Sequence, residues 1–412
     1  MKKIFLFFFI LVLALTTCID PYILNLDEYE SLLVVDGLIT DEPVPYTIKL
    51  SRTFQNEEAL LVAVSSAKVS VQDENGNITV FQEKDPGIYR SDSINFTGRV
   101  GGTYTLNIKT NDGLEYESDP CLMTGVPEID SIYFAFDREL INHGTEEEEG
   151  IRIYLDASNK NEVCKYFRWE FDEVWKFQIL YPVEYKYLGG GKVEIKPVIE
   201  NQICWKYRKS NEIIIHSTES QQTGHISRQA IKFVASGKSD RLRRQYSIQV
   251  KQYSLSQSEY EFWNNLEQVS ESGGDIFEKI PFSVIGNIHC KNREDEKVLG
   301  YFQVSAIKKR RDYITLSQLV DMDIPFYNYP CESIEYGPYD LYGVNLPFPV
   351  PPEIYDEVYN RNIRLGYVFV WPTDEIIHGN QTITKFVFTT KECADCSLTG
   401  DPNKPDFWVD IY

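Results

Sequence analysis

Apolar and polar residues alternate along much of the chain between residues 31 and 126. Val69 and Val71 have polar neighbours on both sides, and Leu106 and Ile108 repeat the same pattern. A period of two places alternate side chains on opposite faces of an extended chain, which is typical of half-buried β-strands. The pattern therefore predicts a series of short strands in this region.

The turns between these strands are marked by the dipeptides Asn75-Gly76 and Asp112-Gly113, which suit tight hairpins because glycine accepts positive φ. Short strands at this spacing predict an immunoglobulin/transthyretin-like β-sandwich over residues 31–126. The run from Ala67 to Ile108 resembles transthyretin-like or carboxypeptidase-regulatory sandwiches. This resemblance implies a module without chemistry of its own.

After the Val126-Pro127 boundary, residues 127–412 predict a larger β-rich domain with a few short helices. One helix is predicted near residues 256–272, because Ser256 and Glu259 form a capping-box pattern. Apolar residues then recur about every three positions, at Tyr260, Trp263, Leu266 and Val269. A second, shorter helix is predicted at residues 352–360. The fold class is therefore mainly β.

The first 17 residues have the pattern of a secretory signal peptide. Lys2 and Lys3 precede an apolar run that ends at Leu15, which is too short to span a bilayer core. The segment from Leu15 to Cys18 resembles a bacterial lipobox, which implies that Cys18 is acylated and becomes the first residue of the mature chain. The alternative is an ordinary signal peptide with an unrelated cysteine.

Residues 18–30 are rich in acidic side chains, including Asp20, Asp27, Glu28 and Glu30. Such residues after a lipidated cysteine resemble the signal that sends Bacteroidetes lipoproteins to the cell surface. A simple solvated acidic tether is the alternative interpretation.

Charge narrows the possible partners. The formal net charge of the 412-residue chain is −21, and an acidic surface repels phosphate backbones, so nucleic acid is not an expected partner. Two basic clusters, Arg241–Arg244 and Lys308–Arg311, run against this trend. Both are interpreted as solvated strand ends.

Seven cysteines remain when Cys18 is set aside, so at least one thiol must stay free or pair between chains. In an exported protein the default state of paired cysteines is the disulfide. The C-x-x-C pair at Cys393 and Cys396 could instead be a redox centre or half of a zinc site. We expect two disulfides, with the connectivity open, among four cysteines: Cys204, Cys331, Cys393 and Cys396. Three mainly buried thiols remain: Cys121, Cys164 and Cys290.

The sequence has no recognisable catalytic motif: there is no G-x-S-x-G, H-E-x-x-H, P-loop or G-x-G-x-x-G. Ser305 and Lys308 match S-x-x-K, but the flanking pattern is that of a strand, which places the two side chains on opposite faces. No catalytic residue, metal site or cofactor is predicted. Carboxylates are too numerous for a glycosidase pair to be singled out.

A segment rich in proline and tyrosine at residues 324–352 is predicted to be an extended, functional loop. Tyrosine suits binding surfaces because it combines a large contact area with a polar tip. Tyr336, Tyr339 and Tyr342 are therefore expected to be exposed and to contact a partner or ligand. The alternative is that aromatic residues of the loop pack it onto its own domain: Phe326, Tyr327 and Tyr329.

Several runs resemble a family of Bacteroidetes lipoproteins that carry a domain of unknown function and are encoded beside TonB-dependent receptors. Among them are "LLVVDGLITDEPVPYTIKLSRTF" (32–54), "YSIQVKQYSLSQSEYEFWNNL" (246–266) and "CADCSLTGDPNKPDFW" (393–408). The resemblance implies an outer-membrane location, facing the cell surface, and a TonB-dependent receptor as partner. It supplies no catalytic residues.

These observations favour a surface-tethered, non-enzymatic lipoprotein that is an accessory or ligand-binding partner of a TonB-dependent receptor. Two alternatives stay open at this point. One is a surface hydrolase with an unrecognised carboxylate site, and the other is a structural or assembly factor of the outer membrane.

Overall fold

A computed structural model describes residues 31–53, 61–92, 96–141, 144–159, 164–221, 224–272, 284, 286–377 and 381–411. The predicted signal peptide, Cys18 and the acidic tether lie outside these residues. The fold is mainly β, with several sheets and a few helices, as the alternation predicts. Of the helices in the described ranges, none is both long enough and apolar enough to cross a lipid bilayer.

The first sheet has eleven strands. Nine of its strands come from the predicted sandwich region: β1 (Leu33–Ile39), β2 (Thr47–Arg52), β3 (Val62–Ala63), β4 (Lys68–Asp73), β5 (Ile78–Asp85), β6 (Ile88–Arg90), β7 (Thr103–Lys109), β8 (Glu115–Ser118) and β9 (Cys121–Leu122). Val69, Val71, Leu106 and Ile108 are buried, which is why these strands alternate.

Two later strands complete this sheet: β19 (Ile288–Cys290) and β20 (Val298–Val304). The strand order is β19-β8-β7-β4-β5-β6-β2-β1-β20, with β3 beside β2 and β9 beside β7. Strand β20 runs parallel to β1, and Gly300 lies opposite Val35. The sheet thus extends beyond the predicted range of residues 31–126. A parallel pair needs a long crossover and leaves no short-range turn signal, so the sequence pattern did not indicate it.

The middle of the chain forms two sheets and a hairpin. A three-stranded sheet contains β10 (Ile129–Ile141), β11 (Glu146–Ser158) and β17 (His225–Ala235). A five-stranded sheet contains β12 (Tyr166–Gln178), β15 (Ile203–Lys209), β16 (Ile214–Ser217), β18 (Gln245–Leu255) and β21 (Ile307–Ile314). Strands β13 (Tyr185–Gly189) and β14 (Lys192–Ile195) form the hairpin.

One apolar core joins the eleven-stranded sheet to the five-stranded sheet. Ile48 on β2, Trp169 on β12 and Phe302 on β20 are fully buried members of the same cluster. Burial of side chains this large supplies roughly 1.5–3 kcal/mol each. Strand β20, which pairs in parallel with β1, therefore contributes to the main core.

The C-terminal part has its own smaller core. Strands β22 (Ser333–Tyr336), β23 (Val368–Ile377) and β24 (Gln381–Thr389) form a sheet in the order β22-β24-β23. The buried residues of this smaller core are Val358, Phe369, Phe386 and Phe388. The β13–β14 hairpin packs on this unit, because the rings of Tyr187 and Tyr359 stack with centroids 4.1 Å apart.

Five helices complete the described fold: α1 (Gln257–Ser272), α2 (Leu316–Asp321), α3 (Pro338–Tyr342), α4 (Pro352–Arg364) and α5 (Lys391–Ala394). Helices α1 and α4 correspond to the two that the sequence predicts. The hydroxyl of Ser256 accepts a hydrogen bond from the backbone N–H of Glu259 at 3.1 Å, so the predicted cap of α1 is present.

The prediction of one extended loop over residues 324–352 was wrong. Strand β22 pairs with β24, and helix α3 follows it directly. Proline breaks a helix only in its interior, and Pro338 and Pro352 stand at the first positions of α3 and α4. The segment is irregular mainly at residues 324–332 and 346–351.

Candidate functional site

An open cleft of about 870 Å³ lies where the five-stranded sheet, helix α2 and the C-terminal sheet meet. Its walls come from the end of β12 and the segment after it, the turn before β18, helix α2, the irregular segment after α2, and β23. The lining residues are Gln178, Ile179, Leu180, Pro182, Glu184, Tyr185, Arg243, Arg244, Leu316, Val320, Phe326, Tyr329, Trp371 and Pro372. Its volume is in the usual range for small-molecule sites, about 300–1,000 Å³.

A rigid turn presents the two arginines of the cleft. Arg243 follows the 3₁₀ turn Asp240–Leu242, and its backbone N–H donates to the Asp240 carbonyl at 3.1 Å. The Asp240 carboxylate in turn accepts hydrogen bonds from Trp175 Nε1 at 2.9 Å and Lys206 Nζ at 2.8 Å. These bonds fix the turn to β12 and β15, so Arg243 and Arg244 enter the cleft from a fixed backbone.

Aromatic rings surround Arg243. Its guanidinium carbon lies 5.7 Å from the ring centroid of Phe326 and 5.6 Å from that of Tyr329, within cation–π range. Burial raises the pKa of Tyr329 well above its usual value. Its buried hydroxyl oxygen has no hydrogen-bond partner among the described residues. The site therefore contains a buried polar atom that a ligand could satisfy.

The charges of the cleft oppose the charge of the whole molecule. Within the described ranges, no carboxylate lies at ion-pair distance from Arg243 or Arg244. Glu184 is the one acidic residue among the lining side chains. The whole chain has a net charge of −21, whereas the lining of the cleft carries two arginines and one glutamate. Such a site favours an anionic group.

A smaller cavity of about 420 Å³ adjoins the cleft and shares Tyr329 with it. It is lined by the disulfide of Cys331 with Cys393, together with Lys206 and Asp240. The disulfide ties the segment that carries Phe326 and Tyr329 to helix α5. The aromatic wall is thereby covalently fixed at one end.

The four cysteines that were predicted to form disulfides are paired as Cys204–Cys396 and Cys331–Cys393. Each member of the C-x-x-C pair therefore bonds to a different partner. Among the cysteines that the structure describes, three are free: Cys121, Cys164 and Cys290. Burial raises the pKa of Cys121 and of Cys164 to about 12, which leaves both as unreactive thiols at neutral pH.

The three tyrosines predicted to form a contact surface do not line the cleft. Tyr336 and Tyr339 are half-buried, so the expectation that all three are exposed was wrong for these two. Tyr336 packs against the C-terminal core, because β22 joins that sheet, and Arg361 lies 5.5 Å from its ring. Tyr342 is exposed, and its hydroxyl donates to Glu357 at 2.6 Å.

Four residues that line the cleft were predicted from the sequence to have other roles. Phe326 and Tyr329 were considered only as loop packing, and Arg243 and Arg244 as solvated strand ends. Both arginines belong to a dense basic run, residues 241–244, and that density in an acidic chain was the available signal. Arg241, from the same run, does not line the cleft, and its side chain lies 3.7 Å from the buried carboxylate of Glu173.

The lining of the cleft contains neither a group of metal ligands nor a pair of carboxyl groups. In the part of the chain that the structure describes, no group of three or more His, Cys, Asp or Glu side chains is arranged to hold a metal ion. A glycosidase mechanism needs two facing carboxyl groups, and Glu184 has no second carboxylate beside it in the cleft lining. What the arrangement offers is binding through guanidinium groups and ring faces.

No curated protein matches the chain. A family model described as a domain of unknown function (DUF4249) matches residues 19–311, which is more than half of the chain. The chain therefore belongs to the DUF4249 family, a domain of unknown function.

Proposed function

We propose that this protein is a surface-tethered, non-enzymatic outer-membrane lipoprotein that binds a ligand as an accessory partner of a TonB-dependent receptor. The observation that carries the binding role is the cleft in which Arg243 and Arg244 stand beside Phe326, Tyr329 and Trp371. The signal peptide and Cys18 support the tether. The receptor rests on the resemblance of the sequence to Bacteroidetes lipoproteins.

A rigid frame supports a binding role over an enzymatic one. The cleft is built on strands, a fixed 3₁₀ turn and a disulfide-anchored segment, and preorganised walls reduce the entropy lost on binding. Its lining lacks a nucleophile–base pair or a carboxylate pair. These features suit capture of a ligand and its transfer to a receptor.

The test is affinity purification of the tagged protein from outer membranes, followed by mass spectrometry. A TonB-dependent receptor recovered in stoichiometric amount supports the proposal. Recovery of outer-membrane assembly machinery, or turnover of a substrate by the isolated protein, would replace it with the corresponding alternative.

The tether is tested in the same cells with Cys18→Ala. Several acyl chains supply the membrane affinity of a lipoprotein, so this variant should leave the membrane fraction and appear in the soluble fraction. Cys121→Ala, which removes a cysteine of the folded part, serves as the control and should remain with the membrane. Retention of Cys18→Ala after a salt wash would show that lipid is not the main anchor.

A further inference from the structure

We propose that the cleft binds a small organic anion that carries a hydroxylated ring, with its acid group held by Arg243 and Arg244. This inference rests on the proposed ligand-binding function and names the chemical class of the ligand. Its acid group is a carboxylate or a phosphate, because a guanidinium fork matches both in bidentate geometry.

The first argument is that two arginines of an acidic protein have no carboxylate partner among the described residues. Two basic side chains of the five-stranded sheet do have carboxylate partners: Lys206 lies 2.8 Å from the Asp240 carboxylate, and Lys176 lies 2.8 Å from that of Asp410. Carboxylates are plentiful, yet among the described residues none reaches Arg243 or Arg244. An external anion supplies the missing partner.

The second argument is the arrangement of rings around that charge. Phe326 and Tyr329 contact the guanidinium of Arg243, and no side-chain hydrogen bond of Arg243 to a described residue occupies its N–H groups. Tyr185 and Trp371 provide further ring surface in the same cleft. Ring faces of this kind pack against flat or ring-shaped ligand bodies. The body of the ligand is therefore a ring and not a simple inorganic ion.

The third argument is polar. The hydroxyl oxygen of Tyr329 is buried without a hydrogen-bond partner among the described residues, and the Glu184 carboxylate lies in the lining. A carboxylate accepts hydrogen bonds from hydroxyl groups, whereas it repels a second acid group. A ring with hydroxyl groups satisfies Glu184 and Tyr329 while its acid group faces the arginines. The volume of about 870 Å³ accommodates a ligand of drug size or a short oligomer.

The experiment measures binding by isothermal titration calorimetry with the mature full-length protein and two matched pairs of probes. Trigalacturonate is compared with its trimethyl ester, and adenosine monophosphate with adenosine. In each pair the ring body is kept and the charge is removed. The first pair tests a carboxylate and the second a phosphate.

We expect at least one anionic probe to bind, and its neutral counterpart to bind at least about tenfold more weakly, because a charge-assisted hydrogen bond is lost. Arg244→Gln should weaken the anionic probe by at least about tenfold as well. Arg244 is exposed, and its side chain makes no hydrogen bond or ion pair with another described residue, so this change should leave the thermal midpoint unaltered. Arg243→Gln provides a second variant, with folding checked by the same thermal scan.

The matched control is Lys68→Gln combined with Arg90→Gln, which removes two exposed basic residues of the eleven-stranded sheet. This control should bind the anionic probe as the wild type does. The proposal is overturned when neither anion binds, when the neutral probes bind as tightly as the anions, or when both arginine variants bind unchanged. A receptor that still co-purifies in those cases would leave the proposed function intact and remove only the ligand class.

Discussion

Cys204 on β15 is bonded to Cys396, which follows it by 192 residues. Cys204 lies inside the span that matches the family, residues 19–311, and Cys396 lies beyond it. The disulfide therefore fastens the C-terminal segment to the five-stranded sheet. The cleft takes Arg243 and Arg244 from within the matched span and Phe326, Tyr329 and Trp371 from beyond it.

The first prediction concerns that bond. Cys204→Ala with Cys396→Ala should lower the free energy of unfolding by about 2–5 kcal/mol, because the unfolded chain is no longer cross-linked. Urea denaturation without reductant measures this loss. The control is Cys331→Ala with Cys393→Ala, which opens a loop of 62 residues and leaves the longer link intact.

Peptide mapping of the unreduced protein checks the connectivity itself. The digest should contain Cys204 linked to Cys396 and Cys331 linked to Cys393. A peptide in which Cys393 is bonded to Cys396 would contradict the structure, as would zinc retained by those two residues.

The second prediction concerns the parallel pair between β1 and β20. Gly300 has φ +88°, and a Cβ built there would lie 2.0 Å from the Val35 carbonyl oxygen. Gly300→Ala should therefore force β20 away from β1 and destabilise the protein by more than about 3 kcal/mol. Gly113 has a similar φ of +87° with nothing within 4 Å, so Gly113→Ala carries only the conformational cost of about 1 kcal/mol.

Both glycine variants are compared by urea denaturation. A clearly larger loss for Gly300→Ala assigns the difference to contact with Val35. Equal losses would show that β20 does not press against β1 as described.

The sequence predicted what short-range patterns encode. Alternation at Val69 and Val71 marked β4, and the Ser256 cap with the following apolar stripe marked α1, because a period and a cap are local features. Pairing of distant segments has no such signal. The parallel contact between Gly300 and Val35 was accordingly not predicted.

The site was harder to predict for the same reason. Arg243 and Phe326 come from separate parts of the chain, and their contact depends on how α2 and the segment after it fold over the five-stranded sheet. The export signal and the position of each cysteine in the chain identified the four cysteines of the disulfides but could not choose among the three possible pairings. Tyrosine content indicated a binding segment, yet it could not show that Tyr336 would join a strand.

The third prediction concerns pH. Glu259 at the start of α1 is 2% exposed, and burial raises the pKa of its carboxyl to about 8, although Arg168 opposes the shift. The folded protein therefore holds this proton between about pH 4.5 and 8, where the unfolded chain has released it. By linkage, the contribution of Glu259 to stability falls as pH rises through this window.

Glu259→Gln imitates the protonated form and removes this dependence. The unfolding free energy of the variant minus that of the wild type should rise by up to about 1.4 kcal/mol per pH unit between pH 5 and 8. Urea denaturation at pH 5, 6, 7 and 8 measures the difference. Glu261→Gln, an exposed change on the same helix, is the control, and a profile for Glu259→Gln no steeper than that of Glu261→Gln would contradict the assignment.

The last prediction separates folding from partner contact among the tyrosines of β22 and α3. Tyr336 is packed against the C-terminal core and against Arg361, so Tyr336→Ala should lower the unfolding free energy by about 1–3 kcal/mol. Tyr342 is exposed, and its hydroxyl donates a hydrogen bond to the exposed Glu357, so Tyr342→Ala should leave the urea midpoint unchanged. The same variant should weaken capture of the receptor from outer membranes, because a tyrosine on a contact surface supplies area and a polar tip.

The control for this capture experiment is Phe348→Ala, which removes another exposed ring of the same segment and shows whether loss of any exposed ring weakens capture. Capture by Tyr342→Ala at the wild-type level would place the receptor contact elsewhere on the protein.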